Sequence, residues 1–208
     1  MPATAGELRK RRRADARRME ILRAAATILR ARGFSAAGMR EIAAAADLSP
    51  GNLYHYFRGK DEILFFCQDQ ALERLGRVLA DARRRRGSSV ERLRTLAAGH
   101  VRCLIDEVAG SGLHLELDAL PPALRAAIVS KRDEYERGVR AVVAGGIRRG
   151  ELCRRDATIA ARAFLGALNW TAQWFRPDGH YSSDEVAELV ADYAVAGLVA
   201  DLESRPIP

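Results

Sequence analysis

The chain has 208 residues, 48% of them hydrophobic, and its 34 Lys and Arg exceed its 27 Asp and Glu to give a formal net charge of +7. The composition supports a folded core, and two absences argue against a membrane span and a secretory signal: an uncharged apolar run of about 18 residues, and an apolar segment behind the N-terminal charges. Residues 1–60 hold thirteen basic and five acidic residues, a net of +8, so the other 148 residues carry −1 and the basic end is typical of a polyanion-binding protein.

The first predicted elements are an arm and two helices. Residues 1–14 are polar and arginine-rich, which predicts a flexible basic arm. From Asp15 the apolar residues recur at spacings of three and four, which predicts a helix that Gly33 ends. Its inward positions are Ile21, Leu22, Ala25, Ile28 and Leu29. A short second helix is expected over about 38–46, with Met39, Ile42 and Ala45 buried.

A tight turn and a very short third helix follow. Ser49 is expected to cap this helix, and Pro50 suits its first position. The helix should extend to about Phe57, barely two turns, with Leu53 and Phe57 four residues apart on its inward face.

The remaining chain contains five longer helical patterns and no sustained alternation of period two. Their expected bounds are about 60–86, 89–108, 121–150, 156–174 and 183–202. The predicted fold is therefore all-α, with about nine helices. An N-terminal three-helix helix-turn-helix domain over 15–60 would stand on a larger helical ligand-binding and dimerisation domain over 61–208.

The cysteines predict neither a disulfide framework nor a zinc site, because Cys67, Cys103 and Cys153 are odd in number and widely spaced. They are expected to be small buried hydrophobes in a reducing cytoplasm. No metal or cofactor is expected.

The layout of the first three helices, a long helix, a short helix, a turn and a two-turn helix, predicts helix-turn-helix geometry with the third helix in the major groove. Hydrogen-bonding side chains are expected on its exposed face: Ser49, Asn52, Tyr54, His55 and Tyr56. Gly51 would let the backbone approach a phosphate. Lys60 begins the next helix, where an ammonium group and the helix dipole both favour an anion.

Four strings here are specific: Gly33–Ser35, Met39–Ala43, Leu48–Phe57 and Lys60–Leu64. Together they closely resemble the DNA-binding domain of TetR-family bacterial repressors over residues 17–65, without a gap. The resemblance implies that phosphates are held by Lys60 and by Tyr54, His55 or Tyr56. It also implies that phosphates or bases lie close to Arg40, Ser49, Gly51 and Asn52. Asn52 is the first candidate for reading a base edge.

The arginine run Arg9–Arg13 has two interpretations that the sequence leaves equal. It is either a solvated tail or an arm that contacts the DNA backbone or minor groove.

A dimer is expected, because a two-turn reading helix contacts only a few base pairs and a two-fold dimer presents two such helices to a palindromic operator. The last two helices offer a small-residue face and apolar partners: Ala160, Ala163, Gly166, Ala167, Val186, Leu189, Val190, Val195 and Leu198. The TetR resemblance implies a four-helix bundle of two helices from each subunit. Packing within one chain is the alternative.

The segment from Asn169 to Gly179 contains both tryptophans of the chain, Trp170 and Trp174, one helical turn apart. They line either the core or a ligand cavity formed by the middle helices. Charged and amide donors stand nearby: Arg162, Gln173 and Arg176. The string Asn-Trp-x-x-x-Trp-Phe-Arg-Pro-x-Gly resembles the C-terminal region of TetR-family regulators of fatty-acid and steroid catabolism, which implies an acyl-CoA inducer near these residues. An apolar drug-like ligand, or none, stays open.

These features predict a ligand-controlled DNA-binding repressor of the bacterial cytoplasm, in which a bound inducer shifts the fourth helix and the spacing of the two reading heads. One rival is an architectural DNA-binding protein without ligand control. Another is a thioester-cleaving enzyme with His100, His114 or His180 as base, but no nucleophile elbow, zinc motif or phosphate loop supports it, so no enzymatic activity is expected.

Overall fold

The computed structural model describes residues 4–105 and 117–199, apart from the side chains of residues 5, 8, 10–12, 30 and 31. Within them every regular element is helical: α1 Ala5–Ala36, α2 Met39–Ala45, α3 Pro50–Tyr54, α4 Lys60–Arg84, α5 Ser89–Ile105, a 3₁₀ helix Leu117–Ala119, α6 Pro122–Arg148, α7 Ala157–Trp174 and α8 Ser183–Val199. The predicted all-α fold is confirmed. The expected ends of two helices near Val108 and Leu202 lie outside the described residues, as does His114.

Helix α1 begins ten residues earlier than predicted, so the structure has a helix where the sequence suggested a flexible arm. Thr4 caps it: the Thr4 hydroxyl accepts from the Glu7 N–H at 3.3 Å, and the Glu7 carboxylate accepts from the Thr4 N–H at 2.7 Å. This reciprocal capping box satisfies two of the N–H groups that a helix start leaves open. At Gly33, where the sequence predicts that the helix ends, a left-handed φ of 76° interrupts the helix, which is assigned as far as Ala36.

The chain forms two compact units, one from the described parts of residues 1–69 and 107–126, the other from those of 70–106 and 127–208. The first unit is centred on the inward face of α1, where Ile21, Leu22 and Ala25 are fully buried. Leu53 and Phe57 are buried as predicted.

The short helix α2 differs from the prediction in the face it buries. Ile42 and Ala43 are its buried residues, whereas Met39 is half-buried and Ala45 is exposed. Helix α3 is also shorter than expected. It ends at Tyr54, and a turn in which the Phe57 N–H donates to the Leu53 carbonyl at 3.0 Å returns the chain to the core.

The second unit is built around α5, whose inward residues include Leu93, Leu96, Val101 and Leu104. Helix α8 lies against α5, and ion pairs join the two at their surface. Arg102 bonds Asp184 at 2.6 Å and Glu188 at 2.7 Å, while Arg94 bonds Asp192 at 2.8 Å. Exposed pairs of this kind contribute little individually, so the apolar contacts carry most of the stability.

The cysteine prediction is confirmed for Cys67, whose burial raises the pKa of its thiol to about 12. Cys103 and Cys153 are half-buried, and none of the three cysteines forms a disulfide. Among the described residues no group of His, Cys, Asp or Glu could hold a metal ion, and no helix is long and apolar enough to span a bilayer.

A substitution at Gly146 would test how tightly the second unit is packed around this position. A methyl group at this position would come within 2.7 Å of Leu152 Cδ1 and 2.8 Å of Ser89 Cβ. We expect Gly146→Ala to lower the free energy of unfolding by about 1–3 kcal/mol through overpacking. The measurement is urea denaturation followed by circular dichroism.

The matched control is Gly76→Ala, because Gly76 is exposed in α4 and has nothing within 4 Å of the added methyl group. Helix propensity alone should then raise the free energy of unfolding by about 0.5–1 kcal/mol. Equal effects of the two substitutions would contradict the packing described here.

Candidate DNA-reading surface and effector region

The turn between α2 and α3 is built by local hydrogen bonds. Ser49 is the N-cap of α3, as predicted, and its hydroxyl accepts from the Asn52 N–H at 3.2 Å. Pro50 follows at the first helical position, where its missing N–H costs no intrahelical bond. Asp47 has a φ of 54°, a left-handed conformation that Asp tolerates better than most residues and that reverses the chain before the cap. The reading helix therefore starts at a fixed point.

Most of the residues predicted to contact DNA lie at the surface. The exposed ones are Arg40, Ser49, Gly51, Asn52, Tyr54 and His55. Tyr56 and Lys60 are half-buried. A methyl group built at Gly51 would meet no atom within 4 Å, so the protein's own packing does not require glycine there. A glycine at position 51 would instead allow a second molecule to approach the backbone closely.

Several cations of the basic end bond to the protein itself, which sequence reasoning did not anticipate. The Lys60 ammonium donates to the carbonyl oxygens of Phe34 at 2.8 Å and Ser35 at 3.1 Å. Arg17 donates to the Ala46 carbonyl at 3.3 Å, and Arg18 donates to the Tyr56 carbonyl at 3.1 Å. Residue spacing gave no signal for these bonds, because each joins segments 25 or more positions apart.

The outer face of α7 and α8 carries most of the large hydrophobic side chains exposed on the described residues: Ile159, Trp170, Trp174, Leu189, Tyr193 and Val199. Tyr193 is 80% exposed and Trp170 is 66% exposed. The small residues Ala163, Gly166 and Ala167 lie among them and are exposed as well. We call eight of these nine residues the outer face and leave out Trp174, which ends α7.

Part of the predicted dimer face belongs to the core of the chain itself. Ala160, Val186, Val195 and Leu198 are buried within the second unit, and Val190 is half-buried. Of the predicted set, Ala163, Gly166, Ala167 and Leu189 remain available to a partner. The hydrophobic pattern indicated which helices have an apolar surface, but α7 and α8 each have both buried and exposed apolar residues.

The six residues predicted to bind a ligand are all exposed: Arg162, Asn169, Trp170, Gln173, Trp174 and Arg176. Arg162 pairs with Glu136 at 3.2 Å, and Arg176 donates to the carbonyl of Phe175 at 3.2 Å. Asn169 is different, because its side-chain oxygen lies 3.1 Å from Nε2 of the buried His100.

His100 joins α5, α6 and α7 in one buried hydrogen-bond network. Its Nδ1 lies 2.8 Å from the hydroxyl of Tyr135. Both contacts are satisfied in the neutral tautomer that carries its proton on Nε2: Nε2–H donates to Asn169 and the Tyr135 hydroxyl donates to Nδ1. Burial raises the pKa of the Tyr135 phenol, so it remains a donor. Sequence analysis placed His100 only as a candidate catalytic base, and this geometry gives it two structural partners instead.

Thr171 adds a buried polar group on α7. Thr171 is fully buried, and its hydroxyl oxygen has no hydrogen-bond partner among the described residues. A hydroxyl in that position costs stability unless a partner is supplied.

Comparison with known proteins agrees with the helix-turn-helix geometry. Residues 21–65 match the family model described as bacterial regulatory proteins of the tetR family, and residues 86–198 match the tetracyclin repressor-like C-terminal domain. The transcriptional repressor KstR2 of Rhodococcus jostii is 31% identical over 88% of this chain and 92% of its own length.

Two solved structures are also similar. The TetR-family regulator PfmR of Thermus thermophilus is 32% identical, with a TM-score of 0.78 over 86% of this chain and 99% of that one. AibR, solved with isovaleryl coenzyme A and operator DNA, is 28% identical, with a TM-score of 0.72 over 88% of this chain and 97% of that one.

The hydrogen bond from Tyr135 to His100 should contribute to the free energy of unfolding. Tyr135→Phe removes the hydroxyl that reaches Nδ1 and leaves a buried nitrogen without its donor, so we expect the free energy of unfolding to fall by about 1–3 kcal/mol. Tyr181→Phe is the control, because Tyr181 is 52% exposed and its substitution should change stability by less than about 0.5 kcal/mol. Indistinguishable urea midpoints for the two variants would argue against the network.

Proposed function

Because the chain belongs to the TetR family of bacterial regulatory proteins, we propose that it is a transcriptional repressor of the bacterial cytoplasm that binds a palindromic operator as a homodimer and leaves it when an acyl-CoA thioester binds. The observation that carries the proposal is the exposed, capped reading helix α3 within the segment that matches the family's DNA-binding domain. Two similar proteins agree with this function, since KstR2 of Rhodococcus jostii is a transcriptional repressor and AibR was solved in complex with operator DNA.

The DNA contacts are assigned to the exposed residues of α2, α3 and the turn after α3. Asn52 is the proposed base reader, because it stands in the first turn of α3 and its side-chain amide has no partner among the described residues. Arg40 is the proposed phosphate contact of α2, since it is exposed and forms no ion pair with any described residue. Ser49, Gly51, Tyr54, His55 and Tyr56 complete the proposed surface.

The outer face of α7 and α8 supports the dimer. Large exposed apolar groups beside small residues are typical of a surface that packs against another helix pair, and a two-fold dimer uses the same patch on both subunits. Two reading helices about 34–36 Å apart would then enter successive major grooves. Trp170 is assigned to this interface, since it lies among the exposed small residues of α7.

The effector is assigned to the second unit. The similarity to AibR, whose solved complex contains isovaleryl coenzyme A, and the Asn-Trp-x-x-x-Trp-Phe-Arg-Pro-x-Gly string both favour an acyl-CoA thioester. Trp174 would contact the acyl part, while Asn169 and Gln173 would supply amide donors. Arg162 and Arg176 would face the charged part.

Helix α4 is the proposed link between effector and operator. It is one continuous helix that begins with Lys60 in the first unit and contributes Leu75 and Leu79 to the core of the second. An effector can change DNA affinity only by binding one arrangement of α4 more tightly than another. About 1.4 kcal/mol of such coupling gives a tenfold release.

The effector prediction concerns Trp174. We expect one acyl-CoA to release the protein from DNA that flanks its own gene, and the matching free acid to leave the complex intact. Trp174→Ala should raise the thioester concentration for half-release by about tenfold or more, since it removes most of the apolar contact of one side chain. Fluorescence anisotropy with labelled DNA measures both effects.

Trp170→Ala serves as the companion variant, because Trp170 is assigned to the dimer and should weaken self-association more than the response to thioester. Tight palindrome binding that no thioester disturbs would leave a DNA-binding regulator with an apolar ligand or no ligand. Loss of operator binding by a folded Trp174→Ala dimer would refute the assignment of Trp174.

The dimer prediction uses Tyr193, which is 80% exposed on α8 and so contributes little to the fold of its own chain. Tyr193→Glu places a carboxylate in the proposed interface, where it would be desolvated without a partner. Sedimentation velocity should show a dimer for the wild type and a monomer for the variant. Tyr181→Glu, exposed but off the outer face, should stay dimeric, and a dimeric Tyr193→Glu protein would place the interface elsewhere.

A further inference from the structure

We infer that His100 and Tyr135 are positioning residues for the effector. They hold the side chain of Asn169 so that its NH₂ group is presented outward, as a donor to an acceptor oxygen of the bound thioester. The inference rests on the proposed effector binding, and it names the residues that prepare one contact of that site.

Asn169 stands in the interior of α7, where asparagine stabilises a helix less than alanine or leucine. Its side-chain oxygen lies 3.1 Å from Nε2 of His100, although the residue as a whole is exposed. Its side-chain NH₂ group has no hydrogen-bond partner among the described residues. One end of the amide is therefore fixed to the core, and the other end is available to a ligand.

The direction of the hydrogen bonds is set at Tyr135. Its hydroxyl lies 2.8 Å from Nδ1 of His100, which is its one hydrogen-bond partner among the described residues. Burial raises the pKa of this phenol, so the hydroxyl keeps its proton and donates it to Nδ1. The proton of the neutral imidazole then lies on Nε2, which donates to the oxygen of Asn169.

This direction determines which end of the Asn169 amide faces the ligand. Rotation of the amide by 180° would exchange its oxygen and its NH₂ group, which are nearly equal in size. The rotated NH₂ group would face the Nε2–H of His100, so two donors would meet and the buried N–H would lose its acceptor. Tyr135 and His100 thus keep the NH₂ group outward before an effector binds. A donor that is already oriented loses less conformational freedom on binding.

Asn169 also lies in line with other donors proposed to contact the effector. Arg162, Asn169 and Gln173 are separated by seven and four positions, so they project from the same side of α7. All three are exposed. The 3.2 Å ion pair of Arg162 with Glu136 places this side of α7 beside α6, the helix that also carries Tyr135. An acyl-CoA thioester has several acceptor oxygens that such a row of donors could bind.

The test is a double-mutant cycle on effector release, measured by anisotropy with the full-length protein and operator DNA. Asn169→Leu has a similar shape but no amide, and it should raise the thioester concentration for half-release by about three- to tenfold. Tyr135→Phe should raise it by about two- to threefold, because the amide then populates both orientations. The double variant should match Asn169→Leu, since Tyr135 acts only through Asn169.

Tyr135→Phe is also expected to lower stability, so its control must lose stability without touching the network. Gly146→Ala is matched in this respect, because the added methyl group would contact Leu152 and Ser89 instead. Its half-release concentration should equal that of the wild type. The inference is overturned if Tyr135→Phe leaves half-release unchanged, or if the two substitutions have multiplicative effects in the double variant.

Nuclear magnetic resonance of the wild-type protein covers the case in which Tyr135→Phe does not fold. The chain has two asparagines, Asn52 and Asn169, so ¹⁵N-asparagine labelling gives two side-chain NH₂ groups. The Asn169 signal should shift when the thioester is added, and the ring nitrogens of His100 should show the proton on Nε2 in the free protein. A neutral ring protonated on Nδ1, or an Asn169 signal unmoved by a thioester that releases the DNA, would contradict the inference.

Two kinds of probe identify the acceptor oxygen: a panel of acyl-CoA thioesters that includes isovaleryl-CoA, and the matching acyl-pantetheines, which lack the nucleotide. A shift of Asn169 with both places the acceptor on the acyl-pantetheine part, whereas a shift with the acyl-CoA alone places it on the nucleotide. If no thioester releases the DNA, the proposed effector is refuted. The ring signals of His100 would still decide how Asn169 is oriented.

Discussion

Helix α3 has five residues, and a helix that short cannot hold itself together, because its formation fixes several dihedral angles for very few hydrogen bonds. Contacts on both sides of α3 and beneath it supply the stability that the short helix lacks. The Ser49 cap fixes where α3 starts, and the burial of Leu53 fixes its rotation. The turn to Phe57 fixes where it ends. What remains outward is a small set of polar side chains on a rigid support, which is the form a DNA-reading element requires.

The second unit is organised around a different requirement. Residues of α4, α5, α6, α7 and α8 form one apolar core. A polar network of the buried His100 and Tyr135 with the exposed Asn169 also joins α5, α6 and α7. A buried network of this kind is stable only when every member has a partner, and it then favours one arrangement of the helices over others. On α7, the helix that carries Asn169, the hydroxyl of Thr171 has no hydrogen-bond partner in the described part of the chain. Both features suit a unit that is proposed to respond to a ligand. The His100 network favours one arrangement of the helices, and the Thr171 hydroxyl would gain a hydrogen bond in an arrangement that supplied a partner.

The basic end shows why net charge is an incomplete guide to polyanion binding. Its +8 falls on the segment that matches the tetR-family regulatory model, and charge summed over a segment governs attraction at a distance. The count did not distinguish cations that face a ligand from cations that hold carbonyl oxygens. Lys60 and Arg18 donate to backbone carbonyl oxygens in the structure, and a sum of charges contains no information about such contacts.

The sequence by itself determined the helices, the cap at Ser49, the break at Gly33 and the family strings, because these depend on residues within a few positions of one another. It missed the early start of α1, where a capping box at Thr4 outweighed the polar composition, and it misplaced part of the apolar surface of α7 and α8. Only the tertiary structure decided which cations face backbone, that Trp170 is exposed, and that His100 meets Asn169. The contacts of these cations and of His100 join residues 25 to 69 positions apart. Helical periodicity specifies the faces of one helix but does not specify what each face will contact.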